Sequence, residues 1–320
     1  MSDLSELSGE GRAAAPAAGV HFGFGVGFGT AADQNDVEVV LRLAQLADRD
    51  GLDLFSVSDH PYVAQRLDAY ATLGFVLGQT RDLTGLVNVT NLPTRPAPML
   101  ARTVTSLSAL SGGRVVLGLG AGGDWDEIVR MGVARRSPAS AVDALAEAIM
   151  LTRALSGGGP PVTIHGAHYQ VRELDPAPVP ACPVWTGSMG PRSLAVTGRL
   201  ADGWIPAWAA DWLSDRYRRS RPLIDEAAAA AGRSADEVAT IYVLPGRITA
   251  APASAVRDED GRWAGGSVQQ WVDELTSAVL DHGASGFIYF ATGPEPAEVA
   301  LARWAREVVP AVREAITKAR

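Results

Sequence analysis

The sequence predicts an α/β protein folded as a (β/α)8 TIM barrel, on three observations. Short β-type runs alternate with longer amphipathic stretches from Val20 to the C-terminal end. The runs number eight, whereas an open doubly wound sheet usually has about five or six strands and a glycine-rich turn after the first. The length suits the barrel as well, since eight units typically occupy about 250 residues plus insertions.

The first run, 20–27 (VHFGFGVG), alternates Gly23, Gly25, Gly27 and Gly29 with Phe22, Phe24, Val26 and Phe28. Period two puts the glycines on one face and the large residues on the other. Either something broad approaches the glycine face, or small residues fit a crowded barrel centre. A helix over 36–50 follows, closed by Gly51. The alternation continues with strand 53–58 and helix 67–80, strand 84–89 and helix 97–110, and strand 114–119 and helix 139–156. Strand 183–187 leads to helix 191–201, strand 203–206 to helix 211–231 (closed by Gly232), strand 240–249 to helix 267–281, and strand 286–291 to helix 295–316. Two insertions interrupt the pattern. Residues 157–182 resemble a small β-hairpin, and the Gly/Pro/Asp-rich stretch 250–266 follows a strand, where it overhangs the C-terminal face and can act as a lid. Residues 1–18, rich in Ser, Gly, Ala and Pro, are expected to be a disordered lead-in to a single domain over 19–320.

Composition excludes several chemistries. With 47% apolar and 20% charged residues and a net charge of −8, the chain reads as globular, and its acidic balance argues against nucleic acid as a partner. Lys318 is the one lysine, so no internal amine can form a Schiff base and no Walker-type G-K-[ST] exists. The single cysteine, Cys182, excludes an intrachain disulfide and a Cys-clustered metal site, and it reads as a packing residue. No apolar run reaches the roughly 18–20 residues of a membrane span, and the N-terminus has no signal-peptide pattern, which predicts a cytoplasmic protein without a membrane partner.

Gly118-Leu119-Gly120-Ala121-Gly122-Gly123 matches G-x-G-x-x-G after a strand, but three β-α units precede it, where a dinucleotide fingerprint occupies the first turn of its domain. These glycines instead allow close backbone approach or a tight turn. Strand two ends in Ser58-Asp59-His60-Pro61. A histidine there lies where barrels hold catalytic residues and can exchange a proton near neutrality, with Asp59 to orient it; the alternative is a histidine that caps the loop. His21, His165, His168 and His282 lack such a context, and His165-x-x-His168 lacks further ligands, so no metal site is expected. Gly187-Ser188-Met189-Gly190-Pro191-Arg192 leads into a helix whose exposed N–H groups, with Ser188 or Arg192, can hold an anion, or it is a plain turn. Trp185, Trp204, Trp208 and Trp212 either line a cavity or pack the core or a subunit contact.

Together these segments resemble the luciferase-like monooxygenase superfamily over roughly residues 20–310. The resemblance is carried by Val57-Ser58-Asp59-His60-Pro61, by Asn88 to Arg95, by Leu110 to Arg114 running into Gly118 to Gly122, and by Gly187 to Ser193 followed by Gly198 to Trp204. The Ser-Asp-His after strand two is similar to the coenzyme F420-dependent branch. That resemblance implies His60 beside the reactive C5 edge of a deazaflavin and Asp59 in contact with the cofactor. It implies that Gly187, Ser188, Met189 and Gly190 hold the cofactor phosphate, with Arg192 available as a further donor. It also implies a non-prolyl cis peptide at Asn88–Val89, in a bulge on strand three, with Asn91 and Asp126 at further cofactor-binding positions and a homodimer as the assembly.

Departures bear on the substrate. Where sugar-phosphate dehydrogenases of that branch carry a catalytic glutamate, this chain has Gly123 followed by Asp124. Asp126 stands where Asn is usual, and no internal lysine exists to hold a sugar phosphate, which argues against glucose 6-phosphate. The expected function is an F420-dependent oxidoreductase moving a hydride between deazaflavin C5 and a small organic substrate, with His60 exchanging the proton. The alternatives are an FMN-dependent monooxygenase supplied with reduced flavin by a separate reductase, and a barrel that binds flavin or deazaflavin without turnover.

Overall fold

A computed structural model describes residues 19–27, 36–207 and 210–320; the expectations for 1–18, Phe28, Gly29 and Trp208 lie outside them. In chain order the elements are β1 (His21–Gly25), α1 (Val37–Arg49), β2 (Leu54–Val57), α2 (Ala69–Gln79), β3 (Thr84–Val87), β4 (Thr90–Asn91), α3 (Ala97–Ser111) and β5 (Val115–Gly120). Next come α4 (Trp125–Arg130), α5 (Pro138–Ala154), β6 (Val162–His165), β7 (Gln170–Leu174), β8 (Val184–Thr186), α6 (Pro191–Leu200), β9 (Gly203–Trp204) and α7 (Asp215–Ala230). The chain continues with β10 (Ala239–Thr249), β11 (Gly265–Ser267), α8 (Val268–Leu280), β12 (Gly286–Ala291), α9 (Ala297–Arg303) and α10 (Val309–Ala319).

The expected barrel closes. All pairings run parallel, β1 to β2 to β3 to β5 to β8 to β9 to β10 to β12 and back to β1. Period two sorts β1 as its sequence implies, with Phe22 and Phe24 in the layer between strands and helices, where Phe22 meets Trp304. The glycine face looks into the crowded centre. A Cβ on Gly25 would lie 2.1 Å from the Phe290 ring and one on Gly23 would lie 2.7 Å from Leu54 Cβ, so side chains of facing strands occupy the space the glycines leave. The same holds for the glycine run on β5. A Cβ on Gly118 would sit 2.1 Å from the Val87 carbonyl oxygen, so this glycine serves close strand approach.

Helix ends follow local chemistry. Asp36 and Asp68 cap α1 and α2 by accepting from backbone N–H groups of the first turn, and Ser137, Ser214 and Ser267 do the same for α5, α7 and α8. Gly51 and Gly232 follow their helices with φ of +77° and +72°, the left-handed stop that glycine permits without a Cβ clash.

The structure differs from the expected elements in four places. Strand 84–89 ends at Val87, because a bulge intervenes before β4 rejoins β5. The single helix over 295–316 becomes α9, a π-helical stretch over 304–308 and α10; Pro310 lacks the N–H that would continue the i to i−4 pattern. A short helix, α4, precedes α5, and β11 lies at the end of the second insertion, paired parallel with the extension of β10.

The first insertion holds the expected hairpin, β6 against β7. The second is pinned rather than free. Gln270 Oε1 accepts from Ala253 N and its amide donates to Ala253 O, while Arg257 pairs with the buried Asp211 and with Glu274. Trp263 is buried edge-on against Trp271. Cys182 is buried, and burial pushes its thiol up to about 12, so it packs as an unreactive small side chain. Among the described residues no helix is long and apolar enough to cross a membrane.

Candidate active site

The C-terminal ends of β2, β3, β5 and β8 gather most of the residues marked in the sequence. Asn88 N donates to Val57 O at 2.8 Å, continuing the β2–β3 ladder one residue past β3. The Asn88–Val89 peptide is cis, as the resemblance implies. From Leu86 to Thr90 the chain takes four steps while β5 takes three, from Val116 to Leu119. The extra residue is a bulge, a device that re-aims side chains near active sites. It turns Val89 across β5: a Cβ on Gly120 would lie 2.8 Å from Val89 Cγ2, and one on Gly187 would lie 3.1 Å from it. The small residues of β5 and of the 187–190 segment thus make room for the bulge.

Asn88 and Asn91 are 6% and 8% exposed, and their Nδ2 and Oδ1 atoms, respectively, have no hydrogen-bond partner among the described residues. Leaving a buried polar group unpaired costs about 1–3 kcal/mol, and although other such atoms occur in the protein, these two lie together, in the bulge and just past it, where a polar ligand could pair them.

The Asp59 carboxylate, its side chain 1% exposed, ties these elements together. Oδ2 accepts from Asn91 N at 2.9 Å and from Arg95 Nε at 2.8 Å, and Oδ1 from the same guanidinium at 2.6 Å. Arg95 also donates to Asp68, the cap of α2, at 2.7 Å and lies over the Tyr70 ring, whose hydroxyl meets Thr90 Oγ1 at 2.6 Å. Burial disfavours the charge on Arg95, but its bonds to Asp59 and Asp68 outweigh that and raise its pKa. One arginine therefore fastens the end of β2, the bulge and the start of α2. Arg95 was quoted in the motif without a role, since nothing in its spacing says that it reaches Asp59.

His60 follows Asp59 and is half-buried. Its Nδ1 lies 2.8 Å from the hydroxyl of Tyr62, a partner that the sequence reading missed. Burial lowers the His60 pKa, helped by the Arg66 charge and opposed by Asp59 and Asp124. Burial likewise lowers His21 at the foot of β1. Because the unfolded chain protonates both near 6.5, it binds more protons than the folded chain between their folded pKa values and about 6.5. Stability on their account is full above that window and declines as pH falls through it. Thermal unfolding at about pH 7 and pH 5.5 checks this: the midpoint falls at the lower pH, and His60→Gln shrinks the fall. An identical fall in the variant would remove His60 from the account.

Beyond β8, the Ser188 hydroxyl bonds with Thr186 and Thr197, and Trp204 Nε1 donates to Ser188 O at 2.9 Å. These bonds fix the 187–190 segment at the start of α6, where Ser193 Oγ accepts from Gly190 N and donates to Gly190 O. Beside it lies a cleft of about 220 Å³ lined by Met189, Pro191, Leu194, Arg216, Arg219 and Ser220. The two arginines add positive charge that the sequence reading had not placed there. Arg192, in the first turn of α6, pairs with Asp143 on the surface, and Asp126, 89% exposed, pairs with Arg135. Trp185, Trp204 and Trp212 are fully buried and pack the core.

Comparison with known proteins agrees with this geometry. The family model for luciferase-like monooxygenases matches residues 18–314. The chain is 29% identical over 170 residues to a 5,10-methylenetetrahydromethanopterin reductase of Methanolobus tindarius, covering 51% of this chain and 48% of that protein. It is 27% identical over 224 residues to an F420-dependent glucose-6-phosphate dehydrogenase of Microbacterium testaceum, covering 67% and 66%. The chain thus spans about half to two thirds of the length of these relatives. The structure of an F420-dependent secondary alcohol dehydrogenase in complex with an F420-acetone adduct superposes with a TM-score of 0.77 at 20% identity, over 92% of this chain and 99% of that one, which shows a shared fold. The barrel and the family model agree: the chain belongs to the luciferase-like monooxygenase family of enzymes.

Proposed function

We propose that the protein is an F420-dependent oxidoreductase acting on a small organic substrate at the C-terminal rim of the barrel. The observation that carries this reading is the pair of buried, unpartnered amide atoms, Asn88 Nδ2 in the bulge and Asn91 Oδ1 just past it, the latter on a residue whose N–H is held by Asp59, the residue before His60. They fit a flat, polar-edged ring system, which offers both acceptors and donors. In this reading Asn88, Val89 and Asn91 hold the ring, and Gly187, Ser188, Met189 and Gly190 hold the phosphate, where the start of α6 and the Arg216–Arg219 cleft favour an anion. When bound, the deazaflavin supplies hydride transfer at C5. His60 exchanges the accompanying proton with the substrate. Asp59, with both oxygens engaged by Arg95 and Asn91, acts by positioning. Arg192 and Asp126 each commit one polar atom to a surface ion pair, which leaves the other guanidinium donors and the second carboxylate oxygen for a cofactor.

The absence of internal lysine still argues against a sugar phosphate as substrate, although several relatives are named for that activity. The test is titration of the purified protein with oxidised F420, reduced F420 and FMN. Tighter binding of either F420 form is expected. If FMN binds more tightly than both, and oxygen uptake depends on a flavin reductase, the chain is a flavin monooxygenase. A panel of small alcohols and carbonyl compounds, followed by the deazaflavin absorbance, then identifies the substrate.

A further inference from the structure

The loop after β2 folds tightly back on itself. His60 O accepts from Val63 N at 3.0 Å, a turn with Pro61 at its second position, where the fixed φ of proline is favoured. Val63 O in turn accepts from Arg66 N, and Arg66 donates to Ser58 Oγ. This geometry returns Tyr62 onto His60, with ring centroids 5.7 Å apart and planes at 67°. The hydroxyl ends 2.8 Å from Nδ1, its one hydrogen-bond partner among the described residues.

The charged groups that face this pair come from three elements: Asp59 and Arg66 on the loop itself, Asp124 on the segment after β5, and Glu127 on α4. Burial and then Asp124 raise the Tyr62 pKa, so the phenol keeps its proton. A phenol is a stronger donor than a neutral imidazole N–H, and an imidazole nitrogen is a stronger acceptor than a phenol oxygen. The proton between them therefore belongs to the phenol, which leaves the ring proton of neutral His60 on Nε2.

We propose that Tyr62 is a positioning residue that locks neutral His60 with its proton on Nε2, so that the site presents a hydrogen-bond donor to a carbonyl oxygen at the reacting carbon of the substrate. As hydride from the cofactor adds to that carbon, the Nε2 proton passes to the oxygen and the phenol proton moves to Nδ1, which keeps the imidazole neutral, and solvent returns a proton to the phenolate. The substrate class is then a small carbonyl compound. This rests on the oxidoreductase reading above, but its first test does not. Nitrogen-15 NMR of histidine-labelled protein without cofactor, at a pH where His60 is neutral, reports which nitrogen carries the proton. The wild type is expected to show Nε2–H for His60, and Tyr62→Phe, which keeps the ring, to show a mixture of tautomers. An Nδ1–H tautomer in the wild type, or no change in Tyr62→Phe, overturns the proposal.

The second test is kinetic. Outer partners that fix a histidine tautomer are worth about 10–100-fold where they have been measured at metal sites. Tyr62→Phe is accordingly expected to lower kcat for carbonyl reduction by about 10–100-fold with little change in KM or cofactor affinity. Unchanged kcat in a variant whose tautomer has shifted also overturns it. If the tautomer behaves as expected but His60→Ala keeps full turnover, the oxidoreductase role of His60 fails while the Tyr62 lock stands.

Discussion

Under the function proposed above, replacing His60 by alanine is expected to lower kcat by about 10²–10⁴-fold, the usual worth of a positioned general acid or base, and to leave the F420 dissociation constant nearly unchanged. The separation follows from what the side chain touches. Among the described residues its one side-chain hydrogen bond is to Tyr62, whereas the turn after β2 is closed by the His60 carbonyl, which alanine retains. The bulge residues assigned to the ring depend on Asp59 and Arg95. Stopped-flow reduction or oxidation of the bound deazaflavin, with substrate from the panel screen, measures the first quantity and fluorescence titration the second. Turnover within about tenfold of wild type would place proton exchange elsewhere, with Asp124 as the next candidate, because its charge already reaches His60 and Tyr62.

The largest effect on stability is expected at Arg95. Arg95→Met keeps the stem that packs on Tyr70 but strips Asp59 of the guanidinium, leaving Asn91 N as the remaining donor seen for a carboxylate 1% exposed. Removing one partner of a buried ion pair costs about 3–5 kcal/mol, because the other charge stays desolvated and unpaired. The fall is read as a lower denaturation midpoint. Adding Asp59→Asn is expected to recover most of it, since the uncompensated charge is then gone. A cost below about 1 kcal/mol, the range of an exposed pair, would mean that water reaches Asp59. Under the function proposed above, the single variant is also expected to weaken F420 binding, because the network between Asp59 and the bulge keeps only the Asn91 N–H bond.

The barrel was legible in the sequence because each of its eight strands is a local pattern. Period two in VHFGFGVG, the apolar run over 115–119 and the glycine stops at 51 and 232 all report conformations that neighbouring residues impose on one another. His60 was legible for a similar reason, since a titratable residue at the end of a barrel strand is a statement about one position in one element.

What chain order does not encode is which distant side chains meet. Arg95 reaches back to Asp59, Val89 lies against Gly120 and Gly187, and Arg216 and Arg219 flank the start of α6. The same limit explains why the glycine stripe of β1 stayed open between a ligand face and a crowded centre: the Phe290 ring that decides it comes from the strand that closes the barrel. Local propensity determined the elements and the position of His60. Tertiary closure decided the partners of His60 and Asp59, because side-chain pairing across strands depends on register and burial, which exist only once the sheet has closed.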